Sequence, residues 1–341
     1  MHVFVYEWIT GGGLVDHPGR LPESLLAEGA AMASAAAQDF LAISGCRVTR
    51  LGDPRLEPAT LRGERRVEIH SEAQRRDEFA AAAAAADYTL VIAPEFDRIL
   101  TKSFAAATEV GARLLGGSAD LIRTASDKHR TCERLTAAGI STPAAVLIEA
   151  DAERLPRDFE YPGVLKPLDG AGSQHTLLVE GPGDEPPPYP WTRRLERFCP
   201  GRPASVAAIC GPGGQAILPP CWQWLSGDGR FTYRGGAIIG ESGPAARATS
   251  LAERVLAALP PATGYVGIDM VLGDAPDGGD DVVIEVNPRL TTSYVGLRAA
   301  VDVNLAELMI AGFEGTPLPS VGSAAAIEFT SAGDVTNAAP G

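Results

Sequence analysis

Tyr265–Leu272 reads Tyr-Val-Gly-Ile-Asp-Met-Val-Leu, Gly273–Asp281 is polar and glycine-rich, and Val282–Arg289 reads Val-Val-Ile-Glu-Val-Asn-Pro-Arg, followed by Leu-Thr-Thr-Ser-Tyr294. Two apolar runs around such a connection predict two antiparallel strands and a loop. Side chains alternate along a strand, so Glu285 and Asn287 point one way and Ile284 and Val286 the other. Asp269 and Glu285 stand equally far from Asp277 at the loop centre. A symmetric hairpin therefore sets them opposite each other, where two carboxylates repel unless a cation lies between. Asp, Glu and Asn offer hard oxygen ligands, and so few of them leave positions on Mg²⁺ for water and phosphate. The plainer reading is a solvated hairpin end whose acids do nothing. Against it stands Glu285 inside Val-Val-Ile-Glu-Val, where an unpaired carboxylate is costly to bury.

Working outward, 341 residues suffice for two or three sub-domains. A 45% hydrophobic and 21% charged composition places the chain among ordinary globular proteins. A formal charge of −14 argues against a general nucleic-acid or anionic-membrane binder, while leaving room for local positive pockets. The cysteines (46, 132, 199, 210 and 221) form no CxxC pair, which points to a reducing cytoplasm rather than a disulfide framework or zinc site. The opening Met-His-Val-Phe-Val-Tyr-Glu is unlike a signal peptide, and no apolar run reaches membrane-spanning length.

Toward the N-terminus, Val3–Tyr6 predicts a strand, Glu7–Gly13 a glycine-rich loop and Glu23–Leu41 a helix. Further strands are expected at Arg47–Leu51, Arg66–His70 and Tyr88–Ala93, with a short one at Arg113–Leu115. Ser71-x-x-Gln74 caps an alanine-rich helix to Ala86, and Lys102–Ala112 makes another. Alternating elements of this kind imply a parallel sheet flanked by helices, with ligands beyond the strands' C-terminal ends, near Glu7–Gly13 and Pro94–Asp97. Gly11–Gly13 matches neither a dinucleotide fingerprint nor a P-loop, and reads equally as a tight turn or a substrate contact.

From Ser118 the texture changes. Ser126-Asp-Lys128 opens a helix ending near Gly139, Ala144–Ile148 and Gly163–Lys166 read as strands, and Pro167–Ser173 is a glycine-rich loop. A lysine at a strand end beside such a loop is suited to phosphate, although Lys166 taken alone reads as a surface lysine before a turn. His175 reads as structural. Strands are also expected at Ser205–Ile209 and Phe231–Ile239, and helices at Ser250–Leu259 and Val303–Ala311. The expected division is 1–117, 118–190 and 191–330, with 331–341 a frayed tail.

The order of these signals is more telling than any one of them. Lys128, then Lys166 with its loop, then Glu196-Arg197-Phe198-Cys199, Asp269 and Glu285-x-Asn287-Pro-Arg289 together resemble the ATP-grasp superfamily of carbon–nitrogen ligases, which hold ATP between two α+β sub-domains. The resemblance covers roughly 118–313, and the region before it matches the parallel-sheet domain that usually precedes this fold. It implies that Lys128 and Lys166 contact ATP phosphates and that 169–173, with Gly170, Gly172 and Ser173, closes over them. Glu196, Arg197, Phe198 and Cys199 would be the hinge that holds adenine. Asp269, Glu285 and Asn287 would hold Mg²⁺, or Mn²⁺ in its place, and Arg289 would steady the reacting carboxylate. The acidic ribose ligand of many members is replaced here by Pro203-Ala-Ser205.

Tyr6-Glu-Trp-Ile-Thr-Gly-Gly-Gly, Pro94-Glu-Phe-Asp and Asn287-Pro-Arg-Leu-Thr-Thr-Ser-Tyr are similar to the tyramine–glutamate ligase group of methanofuran and methylofuran biosynthesis. That likeness implies a cytoplasmic, ADP-forming ligase acting on a small carboxylate and a small amine, with no nucleic-acid or membrane partner. Self-association is left open. Thr291–Tyr294 would line the amino-acid end, and the N-terminal loops would seat an aromatic amine. Another acid–amine pair, a phosphotransferase on the same cradle and a non-catalytic nucleotide-binding module are the alternatives.

Overall fold

The computed structural model of the chain describes residues 1–57, 61–170, 172–323 and 325–337. Strands β1 (His2–Glu7), β2 (Arg47–Gly52), β3 (Glu64–Glu68) and β4 (Tyr88–Ile92) form a parallel sheet in the order β3-β2-β1-β4. Helices α1 (Glu23–Ala42), α2 (Glu72–Ala85) and α3 (Ile99–Glu109) cover its faces. Alternation along β1 assigns the faces: Val3 and Val5 join Met32, Ala36 and Phe40 of α1, whereas Phe4 and Tyr6 join Phe79, Ala83 and Leu100. The Ser71 hydroxyl accepts from the Gln74 amide, and the alanine tract is a packed helix as the sequence predicts.

Two short helices follow, α4 (Ala119–Ala125) and α5 (Lys128–Ala137), capped by the Ser118 and Asp127 side chains. A second, antiparallel sheet orders β5 (Ala145–Ile148), β6 (Gly163–Pro167), β7 (Leu177–Val179) and β8 (Arg193–Arg197) as β5-β8-β6-β7. It has a small core of its own around Ile148, Leu165 and Leu195.

The third sheet, also antiparallel, comprises β9 (Arg202–Gly211), β10 (Gly214–Ile217), β11 (Cys221–Leu225), β12 (Tyr233–Ile238), β13 (Gly264–Leu272), β14 (Val282–Asn287), β15 (Ile327–Thr330) and β16 (Val335–Asn337). Helix α6 (Ser242–Ala258) packs on one face with Val206, Val266 and Ile268. Helices α7 (Tyr294–Ala300) and α8 (Leu305–Phe313) pack on the other and share one continuous core with α1 and the parallel sheet. The first and third layers are thus welded by apolar packing, while the middle sheet keeps a separate core. Among the described residues no helix is long and apolar enough to cross a membrane.

Three sequence expectations need correction, and one helix was not expected. Helix α6 begins at Ser242, not Ser250, because Pro244 sits in its first turn, where a missing N–H costs nothing. Arg113–Leu115 contributes a single parallel bridge, Thr89 to Leu114. The unexpected helix is α7, which begins at Tyr294 after Leu290–Ser293 have followed the Glu-x-Asn-Pro-Arg stretch. Val335–Asn337, expected to fray, pairs with β15 because the Thr330 and Asp334 side chains close the turn between them; residues 338–341 of that tail lie outside the described residues.

Candidate active site

The hairpin registers as its symmetry predicts, with Gly267 opposite Asn287, Ile268 opposite Val286 and Asp269 opposite Glu285. A bulge follows directly: Met270 pairs with Val283, so Ile284 is the extra residue. Val283 and Val286 consequently share the core face, and Ile284 faces the same cavity as Glu285 rather than pointing with Val286. Simple alternation misplaces that one side chain because it assumes an unbroken ladder.

Asp269 accepts from Asn287 Nδ2 and from Gln223 Nε2 of β11, both at 2.9 Å. Burial, then the neighbouring Glu285 carboxylate, push the Asp269 carboxyl up to about 7. Burial also raises Glu285, but Lys128 and Lys166 outweigh it and hold that group down at about 2. Lys128 Nζ lies 2.8 Å from Glu285 Oε2 and donates to the Gly170 carbonyl at 3.1 Å. The pair places a lysine in the first turn of α5, where the helix dipole disfavours it, and Glu285 compensates.

Lys166 and Arg194 are cross-strand neighbours on β6 and β8, two like charges side by side. Glu196 bridges them, with Oε1 at 2.6 Å from Lys166 Nζ and Oε2 at 3.0 Å from Arg194 Nε. Arg194 further meets His129 Nδ1 at 2.8 Å and donates to the Pro143 carbonyl. The period-2 spacing of Arg194 and Glu196 was the signal for this network; its partners in α5 and before β5 had none.

These groups surround a cavity of about 380 Å³. The residues expected around nucleotide, metal and reacting carboxylate line it: Lys128, Lys166, Gly170, Gly172, Ser173, Glu196, Arg197, Phe198, Cys199, Asp269, Glu285, Asn287 and Arg289. Glu196 and Arg197 belong to β8, whereas Phe198 and Cys199 lie on the connection to β9 that joins the second sheet to the third. Val164, Met270 and Ile284 supply apolar walls, and Pro203 and Ser205 stand where the acidic ribose ligand was missing from the sequence. Ser173 donates to the Phe231 carbonyl at 2.7 Å, and Phe231 stacks with Phe198.

The opposite wall comes from the N-terminal layer. Arg289 forms a two-point pair with Glu95, Nε to Oε1 at 2.8 Å and Nη2 to Oε2 at 3.0 Å, and donates to the Leu290 carbonyl. Its charge is therefore already answered from the loop after β4. Glu28 of α1 accepts from Thr292 Oγ1 at 3.0 Å. Thr291, Thr292 and Ser293 line the cavity, but Tyr294 does not: it is buried and donates to Asp39 at 2.6 Å. Glu95 falls within Pro94–Asp97, the strand-end loop that the alternating pattern marks for ligands, although its pairing with Arg289 has no signal in the sequence; Glu28 and Gln223 have no spacing signal at all, because each reaches the site across a long chain separation.

Residues 125–293 match the family model of the ATP-grasp domain and residues 46–122 that of the pre ATP-grasp 3 domain, together more than two thirds of the chain. The chain belongs to the ATP-grasp family. This ATP-grasp chain is 28% identical over 229 residues to a tyramine–L-glutamate ligase of Methanocaldococcus fervens, covering 66% of this chain and 65% of that protein. It is 27% identical over 231 residues to the Methanocaldococcus jannaschii protein of the same name, covering 66% and 62%. The match thus spans somewhat less than two thirds of either relative's length. A solved structure from Archaeoglobus fulgidus, assigned to the ATP-grasp superfamily, superposes with a TM-score of 0.71 at 22% identity, covering 97% of this chain and 92% of that one.

The donor set of this ATP-grasp site fits a hard divalent cation. Two half-buried carboxylates face each other, the Asp269 acid raised by desolvation and then by its neighbour Glu285, and a cation between them would favour both charges. Among the described residues no group of three or more His, Cys, Asp or Glu is placed to hold a metal. A third ligand would have to be the Asn287 amide oxygen, phosphate or water.

Proposed function

We propose that this chain is an ATP- and Mg²⁺-dependent carboxylate–amine ligase, forming ADP by way of an acyl phosphate. The observation that carries the reading is the convergence of Asp269, Glu285, Lys128 and Lys166 on one cavity that Gly170, Gly172 and Ser173 also line. Phosphoryl transfer asks mainly for positioning and charge neutralisation, which the lysines supply from α5 and β6. Bound Mg²⁺, held by Asp269, Glu285 and Asn287, would neutralise phosphate charge. Phe198 and Cys199 are the proposed adenine edge, and the loop excludes water from an intermediate that hydrolyses readily. Arg289, oriented by Glu95, is the group proposed beside the reacting carboxylate, offering N–H donors rather than an unbalanced charge.

The substrates proposed are the γ-carboxylate of glutamate and tyramine or a related aromatic amine, on the route to a methanofuran- or methylofuran-type cofactor. The names of the two Methanocaldococcus relatives support that pair. A coupled ADP assay over a panel of acids and amines, read by mass spectrometry for the amide, tests the proposal. ADP release that requires both partners is the expected result. Release with the acid alone, leaving a stable phosphorylated product, would replace the ligase by a phosphotransferase. Nucleotide binding without turnover on any pair would leave a binding module.

A further inference from the structure

We infer that Glu28 is the carboxylate that receives the primary ammonium of the amine substrate and takes its first proton. The inference rests on the ligase reading and assigns its amine side. Glu28 projects from α1 into the main cavity and also lines a side cavity of about 50 Å³ whose apolar walls include Trp8, Ile9, Leu25, Met32 and Pro94 and which Glu7 and Arg289 also border. One carboxylate oxygen, Oε2, is fixed by Thr292. Among the described residues Oε1 accepts no hydrogen bond, and it lies close enough to Gly172 that a Cβ there would stand 3.9 Å from it. Arg289, whose charge acts on Glu28, is committed to Glu95 by two bonds, so Glu28 keeps charge to offer a ligand.

A fixed carboxylate with one open oxygen, beside apolar walls, fits an ammonium carried on an apolar body. At about 50 Å³ the side cavity is well short of the roughly 150 Å³ that holds benzene. It therefore takes the part of the ligand next to the nitrogen, while the remainder lies in the main cavity. Burial, outweighing Thr292 and Arg289, raises the Glu28 acid above the usual carboxylate range, which brings it closer to the pKa of the proton it must accept. In the step itself the ammonium gives one proton to Glu28. The neutral nitrogen then forms the C–N bond as the acyl C–O bond breaks, and phosphate departs with that electron pair and the second nitrogen proton.

The test compares two nucleophiles in the full-length chain with ATP, Mg²⁺ and glutamate: tyramine, which is an ammonium ion at neutral pH, and hydroxylamine, which is uncharged there. Glu28→Gln should lower kcat/KM for tyramine by about a hundredfold or more, while hydroxamate formation and the KM values for ATP and glutamate stay within about twofold. Glu28→Asp, which keeps the charge but draws it back by one methylene, should show the same selectivity to a smaller degree. Equal loss with both nucleophiles overturns the inference. So does a rise confined to the KM for glutamate, which would assign Glu28 to the α-ammonium of the acid. A wild-type chain that forms neither amide nor hydroxamate overturns the ligase reading itself, and the inference with it.

Discussion

The glycine-rich loop after β1, at Gly11–Gly13, and the one after β6, with Gly170 and Gly172, do opposite things. In the first, a Cβ on Gly11 would stand 2.5 Å from the Glu7 carbonyl, and one on Gly13 would stand 2.2 Å from the Trp8 indole. Its turn is closed by Gly11 N–H to Glu7 and Gly13 N–H to Trp8 hydrogen bonds, and the Glu7 carboxylate is spent on Ile9 and Thr10. None of Gly11–Gly13 lines either cavity described above. In the second, a Cβ on Gly170 meets nothing closer than 3.9 Å, and Gly170 and Gly172 lie over Lys128 and Glu28. Glycine in the first loop answers to packing; in the second Gly170 leaves room, and Gly172, at φ +65°, answers to the backbone. The equal division between turn and ligand contact that the sequence allowed for Gly11–Gly13 is thus resolved toward the turn, and what separates the loops is the floor beneath them.

That contrast can be broken or sharpened by substitution. The floor of the second loop should show the largest effect. Glu285→Gln keeps the volume and an acceptor for Lys128, so the fold should survive while ATP-dependent turnover falls over a hundredfold, corresponding to ~3 kcal/mol; near-normal turnover would remove Glu285 from the site. In the first loop, Gly11→Ala should cost about 1–3 kcal/mol, seen as a lower Tm, with kcat of the surviving folded protein little changed. A variant of unchanged Tm would show that the backbone yields there.

A subtler effect lies beneath the second loop. Because the Asp269 carboxyl is raised to about 7, the folded chain keeps a proton that the unfolded chain releases. This group's contribution therefore becomes less favourable as pH rises from the unfolded value toward 7. With chelator present, Asp269→Asn should gain Tm over wild type, and the gain should grow from about pH 5 to about pH 8. A gain that does not vary with pH would refute the coupled pair. The smallest effect belongs to the second loop itself: Gly170→Ala should move stability by less than ~0.5 kcal/mol while raising the KM for ATP a few-fold. A change confined to Tm would make this loop like the first.

How much was legible depended on the range of the interaction. Asp269 and Glu285 could be set opposite each other from sequence because a hairpin fixes its own register over a short separation. The alternating strands and helices before Ser118 gave the parallel sheet for a similar reason, since period-2 and helical patterns are local. The bulge at Ile284 escaped because one extra residue leaves no mark on hydrophobicity, and the start of α6 escaped because Ser250 imitated a cap inside a helix already under way.

The amino-acid order by itself therefore determined the layers, the hairpin and the identity of the charged groups, all of them consequences of short-range pattern. Only the tertiary structure decided which charges meet. Glu95 reaches Arg289 across 194 positions, and Glu28 reaches Thr292 across 264. Such pairs depend on how the parallel sheet and the third sheet are welded through α1, α7 and α8. A carboxylate's partner is set by distance in space, and no spacing along the chain encodes a distance that the packing of two layers creates.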